Sequence, residues 1–179
     1  MDNREEKAII LDFLPHGYPL EMRHIPIAQA IGLNHFTLLE LVPRRGAQLQ
    51  LKEEVYIGEG KRDKIEFIRG RLLSTKMTET GKLQLRDIIE KLIDEKQQVF
   101  VDFFNNAGAV STRLHQLELL PGLGKKHTQA IIEEREKEKF KSFDDIKQRI
   151  KNMPDPKKII EKRLIEELTE EVRHKLFVA

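Results

Sequence analysis

The sequence predicts an α+β protein: a small N-terminal β barrel or curled sheet over residues 1–60, then an all-α part over 61–179. Three observations predict it. Short apolar runs punctuated by Pro and Gly fill the first sixty residues. After Lys61 the apolar spacing changes to the three-and-four rhythm of helices. Two stretches, 112–138 and 142–168, then each place a tight turn between helical patterns.

Taken in order, Ala8–Leu14 is an apolar run closed by Pro15-His16-Gly17. Ile25–Ile31 follows and ends in Gly32-Leu33-Asn34; Phe36–Val42 ends at Pro43. Residues 47–52 alternate through Leu49 and Leu51, and Val55-Tyr56-Ile57 stops at Gly58. Four or five short strands with turn residues between them suit a barrel or a curled sheet. Gly46, after Arg44 and Arg45, is a natural place for a positive φ in a hairpin turn.

Past Lys61, the positions of Ile65, Ile68 and Leu72 predict a helix, and Leu85, Ile88, Ile89, Leu92 and Ile93 predict an amphipathic one running to about Lys96. Val99–Phe104 reads as helix with its neighbours, and Asn105–Gly108 breaks the chain. Ser111 or Thr112 is expected to cap a helix burying Leu114, Leu117 and Leu120. A turn at Pro121–Gly124 leads into a helix from about Lys125 to Lys137. Ser142 caps a helix through Ile150, with Asp145 as the carboxylate of a shortened capping box. A second turn at Asn152–Pro156 precedes a helix to about Leu168, and Val172–Val178 reads as a strand returning to the β region.

Composition narrows the function classes. There is no Cys, which excludes disulfides and thiolate chemistry. A zinc site would need His and carboxylates alone, and the six His show no metal-ligand spacing. The polar start and the short, Asp-interrupted run at Ala8–Leu14 resemble neither a signal peptide nor a membrane span, so the expectation is a cytoplasmic chain with no membrane partner. Net charge is only +2, but it is uneven: −3 over 1–60 and +5 over 122–163. Basic charge therefore gathers around the first turn, where a polyanion would bind.

That turn carries the chemistry. Gly122 and Gly124, two apart, let the backbone bend sharply and let a phosphate approach the main chain, while Leu123 plugs the space between two helices. The helix opening at Lys125 presents amides that lack intrahelical acceptors, and its positive dipole end suits an anion, so the main-chain N–H groups of Leu123, Gly124 and Lys125 are expected to hold a phosphate. Lys125 and Lys126 add charge at the same place, and Arg113 stands shortly before. The stretch Leu120-Pro121-Gly122-Leu123-Gly124-Lys125-Lys126 resembles a helix-hairpin-helix motif. That resemblance implies backbone contact to nucleic acid without sequence readout, and a pseudo-symmetric partner motif at 142–168. Thr128 stands where the family usually has Ala, and the second turn lacks the Gly-x-Gly.

The whole chain also resembles an uncharacterised archaeal family, domain of unknown function 655, through Phe36–Pro43, Val55–Gly60, Thr112–His115 and Leu119–His127. The resemblance implies a β part similar to an oligonucleotide-binding barrel ahead of the helical part, and it supplies no activity.

Loop cations are further candidates. Gly58-Glu59-Gly60-Lys61-Arg62 lacks the spacing of a nucleotide-binding phosphate loop, but Lys61 and Arg62, with Arg44 and Arg45, could line a nucleic-acid groove. Tyr18 is the best exposed aromatic for stacking, whereas Phe13 and Phe36 read as core. The expected function is non-sequence-specific binding to the phosphate backbone of DNA or RNA. The alternatives are an adaptor docking on a ribosomal, replication or repair assembly, and a nucleic-acid enzyme with an unrecognised site. No catalytic or metal-binding residue is assigned, and no cofactor is called for.

Overall fold

The computed structural model describes residues 3–179. Five strands form one antiparallel sheet in the order β4-β1-β2-β3-β5. They are β1 (Lys7–Leu14), β2 (Ile27–Gly32), β3 (Leu38–Pro43), β4 (Glu54–Tyr56) and β5 (Ile65–Arg71). The helices are α1 (Glu79–Glu95), α2 (Gln97–Asn106), α3 (Lys125–Lys137), α4 (Phe143–Arg149) and α5 (Pro156–Thr169). The chain is α+β, its sheet a curled half-barrel.

Contacts divide the chain into two compact units: residues up to Ile88 together with Glu167–Ala179, and Ile89–Glu166. These bounds fall inside α1 and α5, not at the 60/61 division read from the sequence.

In the first unit, β2 and β3 are buried at every position, so both faces of the sheet centre are covered. One face supplies an apolar cluster that includes Ala28, Ala30, Leu39 and Leu41. The alternate positions put a polar row across the strands: Asp12 pairs in register with Gln29, and Gln29 with Glu40. Burying such groups is tolerable only with partners. Gln29 Nε2 donates to the Lys76 carbonyl at 2.8 Å, its Oε1 accepts from the Thr78 amide at 3.1 Å, and Thr78 Oγ1 donates to Asp12 at 2.6 Å.

Three expectations for this unit are corrected. Residues 65–71 form the edge strand β5, not a helix. Its pairing with β3 slips between Glu40 and Leu41 and again between Val42 and Pro43. Each slip adds a residue to β5, so the buried Ile65 and the core-facing Ile68 stand three apart, which imitates a helical period. The terminal segment 172–178 is not a strand either. Its amides at Leu176, Phe177 and Val178 converge on Glu167 Oε1 at 2.8, 3.0 and 3.3 Å, which satisfies them without a ladder. Residues 47–52 likewise run as loop and turn. Gly46 has the expected positive φ, 78°.

In the second unit, α2 buries Phe100, Val101 and Phe104. The helix expected to start at Ser111 or Thr112 is instead a 3-10 turn over Gln116–Leu119, capped by His115. Leu114, Leu117 and Leu120 recur every three residues, which is the 3-10 period. His115 Nδ1 accepts from the Leu117 amide at 3.1 Å, and Glu118 accepts from the His115 amide at 2.8 Å. Burial first, then the Arg135 charge, holds the His115 imidazole below its ordinary range. A neutral ring keeps the nitrogen lone pair that this cap needs.

Candidate nucleic-acid interface

The turn at 120–123 follows from its residues. The Leu123 amide donates to the Leu120 carbonyl at 3.2 Å, with Pro121 and Gly122 between them. Gly122 has φ +82°, so proline at the second position and a left-handed glycine at the third make a type II turn. Leu123 is buried, as the plug reading requires. Its amide closes the turn and is therefore not a free donor. Of the Leu123, Gly124 and Lys125 amides expected to meet a phosphate, Gly124 and Lys125 are left.

α3 begins unlike most of its neighbours. Its N-cap is Gly124, which has no side-chain cap, and no acidic residue lies in the first turn. By contrast, Thr78 Oγ1 caps the start of α1, Ser142 Oγ that of α4, and Asp155 Oδ1 that of α5. The residues that follow Gly124 are Lys125 and Lys126, cations set against the positive end of the dipole. Gly124, Lys125 and Lys126 are exposed, and nothing lies within 4 Å of where a Cβ on Gly124 would be. Thr128 is buried and donates its hydroxyl to the Gly124 carbonyl at 2.9 Å.

The two lysines differ. Lys125 Nζ lies 3.1 Å from Glu118 and donates to the Arg113 carbonyl at 3.2 Å. The His115 amide, and then Lys125, hold the Glu118 carboxyl below its ordinary range. Lys126 has no partner among the described residues, nor does the Arg113 guanidinium. At the other end of α3, Arg149 donates to the carbonyls of Glu134 and Glu138 at 2.6 and 2.7 Å. The C-terminal end is thus satisfied internally, and the N-terminal end is left open.

The second turn lies against the first. His127 Nε2 is 3.1 Å from the Asn152 carbonyl, and a Cβ on Gly122 would touch Pro154 at 3.6 Å. Here the Lys157 amide is taken by Asp155 at 3.0 Å, and Lys157 Nζ by Asp94 at 2.7 Å and Glu90 at 3.7 Å. Asp94 first, against some burial, raises the Lys157 ammonium above its ordinary range. This helix start and its lysine are therefore satisfied internally. The sequence missed the Glu118–Lys125 and Asp94–Lys157 pairs; the Asp-Pro pair that opens α5 was a legible cap signal.

Two of the four loop cations, Arg44 and Arg62, come together in the first unit. Arg44 Nε donates to the Arg62 carbonyl and Arg62 Nε to the Gly58 carbonyl, both at 2.8 Å, and Arg44 also pairs with Glu66 at 3.6 Å. Arg45 and Lys61 are exposed and have no partner among the described residues. Tyr18 is only half-exposed and accepts a hydrogen bond from Gln29 at 3.3 Å. Among the described residues no group of three His, Cys, Asp or Glu is arranged to hold a metal, and no helix is long and apolar enough to cross a membrane.

The model of a family described as "Protein of unknown function (DUF655)" matches residues 4–179. An uncharacterized protein of Methanocaldococcus jannaschii, MJ0038, is 42% identical over 175 residues, covering 97% of this chain and 79% of the relative. A crystal structure of Af1531 from Archaeoglobus fulgidus, itself assigned to DUF655, superposes with a TM-score of 0.84 at 44% identity, covering 98% of this chain and all of the other.

Proposed function

We propose that this chain, which belongs to the DUF655 family, binds the phosphate backbone of DNA or RNA without reading its sequence. The observation that carries the reading is the start of α3: an exposed, uncapped helix N-terminus with no acid in its first turn and two lysines in its place. Those lysines weaken the helix locally, by about 0.3–1 kcal/mol each if the dipole acts as at other exposed termini. A phosphate at the Gly124 and Lys125 amides reverses the sign, because it meets both the dipole and the ammonium groups.

On this reading the turn at 120–124 is the hairpin of a helix-hairpin-helix whose first helix is reduced to a 3-10 turn. The region 142–168 is its partner, which keeps the packing role and closes its own helix start with Asp155. The curled sheet is read as oligonucleotide-binding-like, with Arg44, Arg45, Lys61 and Arg62 as a second cationic edge. Backbone contacts of this kind set position and affinity and leave base identity unread.

Retention on immobilised heparin tests the reading. The wild-type chain is expected to be retained, and the double variant Lys125→Glu, Lys126→Glu to elute with the void. Equal retention of the two proteins refutes the assignment of this turn.

A further inference from the structure

The loop between β1 and β2 is built to hold two apolar side chains in solvent. Leu20 and Met22 are 98% and 99% exposed, more than any other large hydrophobic residue described. Isolated exposed apolar residues are ordinary on a protein surface. These two differ because the segment beneath them is fixed. The Glu21 amide donates to the Tyr18 carbonyl at 3.1 Å across Pro19-Leu20, so Leu20 stands at the tip of a turn. Glu21, between the two apolar residues, points the other way. Arg69 holds both of its carboxylate oxygens at 3.1 and 3.0 Å, and Lys76 approaches at 3.6 Å. Lys76 also lies over the Tyr18 ring, 5.2 Å from its centre, and Tyr18 is tied to the buried Gln29. Gly17 packs so closely on the Ile25 carbonyl that a Cβ there would overlap it.

The charge beside the tip identifies the partner. Glu21 is neutralised from below, whereas Arg23, next to Met22, is exposed and has no partner among the described residues. The tip therefore presents an apolar pair flanked by an unpaired cation, which complements a polyanion with apolar planes between its charges. Resting on the nucleic-acid reading above, we propose that Leu20 and Met22 form a wedge that enters an unstacked base step of a duplex, with Arg23 on the adjoining phosphate. Leu and Met are residues used for such wedges, which partly unstack a step and kink the helix. The ligand class is thus a duplex that is already bent or interrupted, where the unstacking cost is already met.

Fluorescence anisotropy with two short duplexes, one fully paired and one carrying a single unpaired nucleotide, tests this. The wild-type chain is expected to favour the interrupted duplex by about tenfold. The double variant Leu20→Ser, Met22→Ser, which leaves the core untouched, is expected to lose that preference and keep its binding to the paired duplex and its salt dependence. Equal binding of both duplexes by the wild type, or a preference that survives in the variant, overturns the wedge and leaves the phosphate contact standing. Binding of neither duplex overturns both. So does capture by anionic phospholipid vesicles alone that depends on Leu20 and Met22.

Discussion

The Glu118 carboxylate lies 3.1 Å from Lys125 Nζ, and its other oxygen accepts the His115 amide at 2.8 Å. One acid thus caps the 3-10 turn before the hairpin and restrains a lysine after it. A carboxylate beside a proposed phosphate seat also repels the ligand. Glu118→Gln keeps a side-chain acceptor for the His115 amide and removes the charge. Affinity for an oligonucleotide should rise severalfold, as expected for one like charge removed near the contact. Unfolding should change little. Unchanged or weaker binding in an anisotropy titration would mean that Lys125 serves the fold and not a ligand.

Gly124→Asp separates folding from binding. Gly124 has φ −106° and open space around its missing Cβ, so an aspartate fits and can cap α3 itself. Stability should hold or rise by a few tenths of a kcal/mol to about 1 kcal/mol. Binding should nevertheless fall by at least about tenfold, because the new carboxylate occupies the anion's place. A variant that is stabler and still binds would remove the helix start from the site.

The contrast between these helices was partly written in the sequence. α3, α4 and α5 announce themselves through local signals: Gly124 before a run of helix formers, Ser142 as a cap, Asp155-Pro156 at a start. The uncapped, lysine-flanked start of α3 at Gly124 was legible for the same reason. What escaped depends on partners distant in the chain or on broken periods. β5 was hidden because Glu66 and Arg69 are the extra residues of its two bulges. Leu114, Leu117 and Leu120 looked helical because a three-residue spacing fits both helix types over two turns. The burial of Gln29 could be seen only once Lys76 and Thr78 met it.

Leu123 is the packing counterpart of the proposed seat. It is buried beneath the turn, and Leu123→Ala should cost about 2 to 3 kcal/mol from lost transfer energy and the cavity left behind. Chemical denaturation measures it. A cost under about 1 kcal/mol would show that the turn does not depend on its plug.

Stability should also report on Glu161. Burial, and then the Glu90 carboxylate, push its carboxyl above the ordinary range. The folded chain then holds this proton more tightly than the unfolded chain. The stabilising effect is full below the ordinary carboxyl range and is lost as pH rises through the raised value. Glu161→Gln should therefore match the wild type at acid pH and melt at a higher temperature at neutral pH. Equal melting temperatures at both would contradict it.

Salt dependence addresses the central claim most directly. Binding of a duplex, followed as the logarithm of affinity against the logarithm of salt concentration, should fall linearly with a slope of about −0.9 per phosphate contacted. The variant Lys125→Gln, Lys126→Gln should bind more weakly with a slope shallower by about one to two units. A slope that is the same in both proteins would contradict the account.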